Sequence, residues 1–87
     1  MYAILVYDIG EKRVGKMLKL CRQYLNWIQN SVFEGDITEV KLEELKVKAK
    51  KIMDSEVDSL IVFKTDATQW MSKEIVGKER ADTDVFL

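Results

Sequence analysis

Two stretches of the chain are apolar at both odd and even positions, which is typical of strands whose two faces are covered. Residues 2–9 read YAILVYDI, and residues 59–65 read SLIVFKT. We expect the first stretch to be a central strand that ends before Gly10, and the second to be another buried strand. After a turn at residues 66–68, a weaker strand is expected over residues 70–76.

A helical pattern follows the first strand and returns later in the chain. From Lys12 to about Leu25, apolar residues recur at spacings of three and four, so one face of this helix is apolar. That face is predicted to contain Val14, Met17, Leu18, Cys21 and Leu25. A second helix is predicted to begin after Thr38, a residue type that caps helix N-termini, and to end near Met53. Its apolar face contains Leu42, Leu45, Ala49 and Ile52.

The segment between the two helices is strand-like. Residues 26–37 read NWIQNSVFEGDI, and Gly35 is expected to mark a bulge or a turn. The pattern fits one bent strand, and it fits equally two strands separated by a tight break near Asn30 and Ser31.

The order of these elements predicts the fold class. Two helices with one apolar face each would cover one side of an antiparallel sheet, so we predict an α+β, ferredoxin-like two-layer sandwich of βαββαβ type. Residues 1–87 are expected to form one domain, because so short a chain cannot build two cores. Residues 78–87 end in the apolar run VFL and are predicted to be a dimerisation tail that adds a β segment at a homodimer interface.

Composition excludes several classes of function. The chain has no histidine and one cysteine, which removes Ser-His triads, histidine-containing zinc sites and an internal disulfide. No apolar run approaches the roughly 20 residues of a membrane helix, and Met1 leads directly into the first strand without a signal-peptide pattern. A cytoplasmic location without membrane contact is therefore expected.

The charge is unevenly distributed, although the net charge at pH 7 is only −1. Residues 11–24 contain five basic residues and one acid, whereas residues 34–58 contain eight acids and five lysines. The outer face of the first helix contains Lys12, Lys16 and Lys19. This pattern predicts a surface that binds nucleic-acid phosphates. Arg13 is the most specific phosphate ligand of this set, because a guanidinium can donate two parallel hydrogen bonds. A solvated helix face is the simpler alternative.

Asp8 is the candidate for chemistry. It is the only charged residue among the first ten, and it stands at the carboxyl end of a buried strand just before Gly10. A carboxylate in this place could hold Mg²⁺ through oxygen. The spacing from Asp8 to Glu11 also fits a capping box for the next helix, and the local sequence leaves both interpretations open.

The remaining reactive or stacking side chains are expected to serve the core. Tyr7, Trp27 and Phe33 could stack on bases, but aromatic residues are more often buried. Cys21 lies on the apolar face of the first helix and is interpreted as a small buried hydrophobe.

Four segments together resemble a known family. They are MYAILVYDI, KRV at the start of a helix, IQNSVFEG and DSLIVF, in that order from Met1 to about Glu79. This combination is similar to the small CRISPR-associated Cas2 family. The resemblance implies a ferredoxin-like homodimer that exchanges C-terminal segments and acts in spacer acquisition. There it would bridge dimers of the Cas1 integrase and hold protospacer DNA.

The resemblance also implies a metal-dependent endonuclease that cleaves single-stranded RNA or double-stranded DNA with Mg²⁺ or Mn²⁺. The metal-binding aspartate of the family corresponds to Asp8, one from each protomer, and further catalytic positions correspond to Arg13, Ser31 and Phe33. Many members carry a basic residue where this chain has Trp27, so one implied phosphate contact is missing. The alternatives are a catalytically silent adaptor, a toxin-like ribonuclease of related fold, and a small ligand-binding or regulatory domain.

Overall fold

The computed structural model describes residues 1–66 and 72–81, and these residues form one sheet and two helices. The elements are β1 (Tyr2–Asp8), α1 (Glu11–Arg22), β2 (Asn26–Gln29), β3 (Val32–Asp36), α2 (Glu39–Ile52) and β4 (Ser59–Thr65). The sheet is antiparallel with the strand order β2-β3-β1-β4. The predicted α+β, ferredoxin-like fold is confirmed, and β1 lies inside the sheet as its apolar sequence predicted. The prediction that residues 59–65 form another buried strand was wrong, because β4 is at the edge of the sheet and its Ile61 and Phe63 are exposed.

The two faces of the sheet have different surroundings. Ala3, Leu5 and Tyr7 of β1 are buried in one core cluster with residues of both helices. The alternate residues of β1 and their direct partners on β3 and β4 lie on the opposite side, which we call the open face. The open face consists of Tyr2, Ile4, Val6, Asp8, Val32, Glu34, Asp36, Ser59, Ile61, Phe63 and Thr65.

The buried side of α1 differs in part from the prediction. Met17, Leu20 and Cys21 are its buried residues, whereas Val14 is 37% exposed. Val14 and Leu20 lie about 60° to either side of Met17 around the helix axis, so helical spacing alone does not decide which of them is buried. The prediction that Val14 belongs to the buried face was therefore wrong, because the apolar spacing alone did not fix the centre of that face. The helix ends at Arg22, slightly earlier than predicted.

Residues 26–36 form a hairpin, which decides between the two alternatives left open by the sequence. Asn30 adopts a positive φ of 44° in the tight connection between β2 and β3. The expected bulge at Gly35 was wrong: Gly35 is buried within β3 and pairs with Ala3, while the irregular register lies between Trp27 and Gln29.

The start of α2 follows the prediction. Thr38 is the N-cap, and its Oγ1 accepts a hydrogen bond of 3.1 Å from the backbone N–H of Lys41. Leu42, Leu45 and Ala49 are buried, which confirms the predicted apolar face of this helix.

The C-terminal part of the chain departs from the prediction where it is described. Residues 72–76 are irregular, so this part of the expected strand over 70–76 was wrong. The segment lies against the open face, where Lys73 forms an ion pair with Glu34. Residues 67–71 and 82–87, including most of the predicted turn and of the dimerisation tail, lie outside the described residues. In the described ranges, no helix has the length and hydrophobicity needed to span a bilayer.

Candidate functional site

Asp8 lies at the carboxyl end of β1, exposed on the open face and paired across the sheet with Ser59 of β4. Within residues 1–66 and 72–81, its carboxylate has no hydrogen-bond or ion-pair partner. The N-cap of α1 is Gly10, and no side chain caps the first turn. The capping interpretation of Asp8 was therefore wrong, because the helix begins too late for that side chain to serve it.

Asp58, which directly precedes β4, has the opposite environment. Its side chain has no exposed surface, and the carboxylate accepts four hydrogen bonds. Backbone N–H groups of Gly10 and Asp54 each donate at 2.8 Å. Arg13 donates the other two, from Nε at 2.6 Å and from Nη2 at 3.0 Å. One carboxylate therefore joins the start of α1 to the turn that leads into β4.

These contacts determine the ionisation of the pair. The Arg13 guanidinium, together with the two backbone donors, holds the pKa of Asp58 well below its usual range, although burial opposes this. The same hydrogen bond raises the pKa of Arg13. Asp58 is therefore a permanent anion at neutral pH and is fully occupied by its donors.

Arg13 does not belong to the lysine stripe, as we call Lys12, Lys16 and Lys19 on the outer face of α1. It lies four residues before Met17, so it projects from the inner side of α1, and its side chain is only 27% exposed. The lysines at 12, 16 and 19 are exposed on the other side. The two parallel guanidinium hydrogen bonds that the sequence analysis assigned to a phosphate are donated to Asp58 in this structure.

Tyr7 and Phe33 lie on the helix-covered side of the sheet. Phe33 is fully buried, and its ring stacks on that of Tyr7 with centroids 6.1 Å apart. Burial raises the pKa of Tyr7, whose hydroxyl interacts with the partly exposed Ser31. In this conformation Phe33 has no surface through which to contact a substrate, so the structure does not bring it together with Asp8.

Cys21 of α1 belongs to the core cluster, and Trp27 of β2 packs against that cluster. Cys21 is fully buried, and burial raises the pKa of its thiol to about 12, which makes it unreactive, as expected. Trp27 is half-buried: its Nε1 donates a 3.0 Å hydrogen bond to the carbonyl of Asn30, and the Arg22 guanidinium lies 6.0 Å from its ring centroid.

Two lysines of α2 form ion pairs, whereas its Lys50 and Lys51 and all three lysines of α1 form none in the described part of the chain. On α2, Lys41 and Lys46 form ion pairs with Glu44 and Glu43. On α1, Lys12, Lys16 and Lys19 are exposed and have no ion-pair partner in the described part of the chain. The stripe on α1 is therefore positive charge that nothing in the described protein neutralises.

The open face also carries exposed apolar side chains. Ile61 is 51% exposed and Phe63 is 58% exposed, both on the outermost strand β4. A cavity of about 650 Å³ separates the open face from residues 72–76. It lies towards the Tyr2 end of β1, and Asp8 is not among its lining residues.

Asp58 is the residue that the sequence analysis missed. An arginine on the inner side of an amphipathic helix needs a buried anion, and this requirement was the available signal. The partner lies 45 residues away, so it becomes evident only when β4 pairs with β1.

Comparisons with known proteins agree with the sequence resemblance. The family model described as CRISPR associated protein Cas2 matches residues 1–73. A protein of Dictyoglomus turgidum named CRISPR-associated endoribonuclease Cas2 is 45% identical over 87 residues, 100% of each chain. The protein of the same name from Thermotoga maritima is 42% identical over 82 residues, 94% of each chain. A solved structure described as the crystal structure of cas2 superposes with a TM-score of 0.81 at 35% identity, covering 94% of this chain and 92% of that one.

Proposed function

The chain belongs to the CRISPR-associated Cas2 family, and from this premise we propose that it is a metal-dependent endonuclease with Asp8 as its metal ligand. The observation that carries the proposal is the contrast between two carboxylates at one end of the sheet. Asp58 is saturated with donors, whereas Asp8 is exposed and has no partner among the described residues. A free carboxylate beside a fixed loop is available to a cation.

One chain supplies only part of such a site. The described residues contain no group of three or more acidic or cysteine side chains that could hold a metal ion. Mg²⁺ is often held by one or two carboxylates together with several waters, so Asp8 from two chains would be a fitting ligand set. The exposed Ile61 and Phe63 favour a homodimer in which two open faces meet, because large exposed apolar side chains favour association.

Asp8 fits a hard cation because carboxylate oxygen is the ligand that Mg²⁺ prefers, and Mn²⁺ accepts the same donor. When bound, the cation lowers the pKa of a water and neutralises charge on the scissile phosphate. The role of the chain is to present Asp8 from the end of β1 and to keep the loop at Gly10 in place. Hydrolysis of a phosphodiester bond is the reaction that follows from these parts.

The substrate is proposed from the relatives and from the lysines. The relatives from Dictyoglomus turgidum and Thermotoga maritima are named endoribonucleases, which favours RNA over DNA as the substrate. Lys12, Lys16 and Lys19 would hold the phosphate backbone, because they are exposed and carry charge that the described residues do not neutralise.

We also propose a role in CRISPR adaptation, in which the homodimer joins dimers of the Cas1 integrase and holds protospacer DNA. The lysine stripe favours this role as well, because a DNA backbone needs unpaired cations and no catalytic group. Duplex binding in the presence of Cas1 should weaken steeply as the salt concentration rises. Binding that is absent, or that does not respond to salt, would remove this role.

The nuclease proposal is tested by cleavage of labelled single-stranded RNA and duplex DNA, with Mg²⁺ and separately with Mn²⁺. Asp36→Asn is the matched control for Asp8→Asn, because Asp36 is also an exposed aspartate of the open face. It pairs with Tyr2, about 20 Å along β1 from Asp8. We expect cleavage by wild type and Asp36→Asn, and a loss of about a hundredfold or more in Asp8→Asn. A wild type inactive with both metals would leave only the adaptor role.

A further inference from the structure

The Asp58 carboxylate connects three segments of the chain around the candidate site. Its four hydrogen bonds come from the loop at Gly10, from the inner side of α1 at Arg13, and from the turn at Asp54. Its side chain has no exposed surface, so water does not compete for these bonds. The carboxylate is therefore a fixed point to which the three segments are attached.

Asp8 is attached to this fixed point from two directions. Along the chain, Gly10 follows Asp8 by two residues, and its N–H donates to Asp58 Oδ1 at 2.8 Å. Across the sheet, Asp8 pairs with Ser59, the residue after Asp58. The Asp58 side chain thus holds the backbone two residues after the candidate metal ligand, and the Asp58 main chain leads directly into the residue that pairs with that ligand.

Gly10 fits closely against the pair. A Cβ at residue 10 would lie 2.3 Å from Arg13 Nη2 and 3.1 Å from Arg13 Cζ. Because the guanidinium is held by two hydrogen bonds, it cannot move aside without losing one of them. The absence of a side chain at residue 10 is what lets Arg13 reach Asp58.

We infer that Arg13 and Asp58 are positioning residues, which hold Asp8 where a divalent cation can bind and do not themselves contact phosphate. This inference rests on the proposed nuclease function. It changes the role of Arg13, since the guanidinium acts on cleavage through Asp58 and through the loop at Gly10. In metal sites, loss of such outer partners commonly reduces metal affinity or activity by about 10–100-fold.

The test compares Arg13→Lys and Asp58→Asn with wild type in a titration of RNA cleavage with Mn²⁺, well below each melting temperature. Arg13→Lys keeps the positive charge but cannot donate the paired hydrogen bonds to Asp58. We expect both variants to need about tenfold more Mn²⁺ for half-maximal cleavage. If Asp58→Asn does not fold, Arg13→Lys alone carries the test.

A second readout separates positioning from phosphate binding. The affinity of Arg13→Gln for single-stranded RNA is measured without metal at several salt concentrations. The slope of log affinity against log salt should equal that of wild type, because no phosphate contact is lost. A slope reduced by about 0.7, the value of one single-strand contact, would overturn the inference and make Arg13 a phosphate ligand.

The possible failures are distinguishable. If the Arg13→Lys variant is folded, cleaves RNA as fast as wild type and needs no more Mn²⁺, the positioning role is rejected and the nuclease proposal stays intact. A wild type that neither cleaves RNA nor binds Mn²⁺ would reject the nuclease proposal, and the inference with it.

Discussion

The backbone N–H of Gly10 donates a 2.8 Å hydrogen bond to Oδ1 of Asp58, a residue 48 positions later in the chain. This bond ties the first residues of α1 to the approach to β4. Because Asp8 is the last residue of β1 and precedes Gly10 by two residues, the same bond links the stability of the fold to the candidate metal site.

Acid should weaken the fold through Asp58. The folded state holds the pKa of this carboxylate well below that of an unfolded aspartate, about 3.9, mainly through Arg13. Its contribution to stability is thus present above that value, and it is lost as the pH falls from about 5 towards the folded pKa. In urea unfolding at pH 7, 5, 4 and 3, Asp58→Asn should be less stable than wild type at pH 7 and should lose less on acidification. Parallel pH curves for the two proteins would contradict this assignment.

The two glycines near the start of α1 should respond in opposite directions to alanine. Gly10→Ala places a Cβ against the Arg13 guanidinium and should destabilise by about 1–3 kcal/mol, the usual cost of overpacking. Gly15→Ala meets no atom within 4 Å and should stabilise by about 0.5–1 kcal/mol through helix propensity. Thermal melts at equal protein concentration measure both changes. A stabilised Gly10→Ala variant would show that the close approach has no energetic weight.

The lysines of α1 should control the salt dependence of nucleic-acid binding. Lys16→Gln/Lys19→Gln removes two exposed, unpaired cations, and the slope of log affinity against log salt should fall by about 0.9 per lost duplex contact. Lys50→Gln/Lys51→Gln on α2 is the control, because it removes the same charge from exposed lysines that also have no ion pair in the described chain. Equal changes in both variants would show that net charge, and not this stripe, controls binding.

Local patterns were sufficient for most of the fold. The apolar pattern of β1 at both odd and even positions predicted the interior strand that the sheet order shows, and Thr38 specifies the start of α2 through one hydrogen bond to a nearby N–H. The centre of the buried face of α1 was less determined. Val14 and Leu20 are both apolar, and only packing against the sheet decides which of them is buried.

The candidate site was predictable only in part. Asp8 stands out in the sequence because it is a lone charge at a strand end. Whether its carboxylate caps α1 or is available to a ligand depends on where α1 begins. Arg13 was grouped with the lysines because they are neighbours in sequence, whereas its position on the inner side of α1 requires a buried partner. That partner, Asp58, is brought near by the pairing of β1 with β4, which no local pattern encodes.

The central claim is that Asp8 from two chains holds one divalent cation, and counting bound Mn²⁺ at equilibrium tests it without relying on turnover. Electron paramagnetic resonance distinguishes free from bound Mn²⁺ in a titration of wild type, Asp8→Asn and the Asp36→Asn control. We predict one Mn²⁺ per two chains for wild type and for Asp36→Asn, and loss of this binding in Asp8→Asn. If the Asp8→Asn variant is folded and binds Mn²⁺ as tightly and in the same ratio as wild type, the account is contradicted.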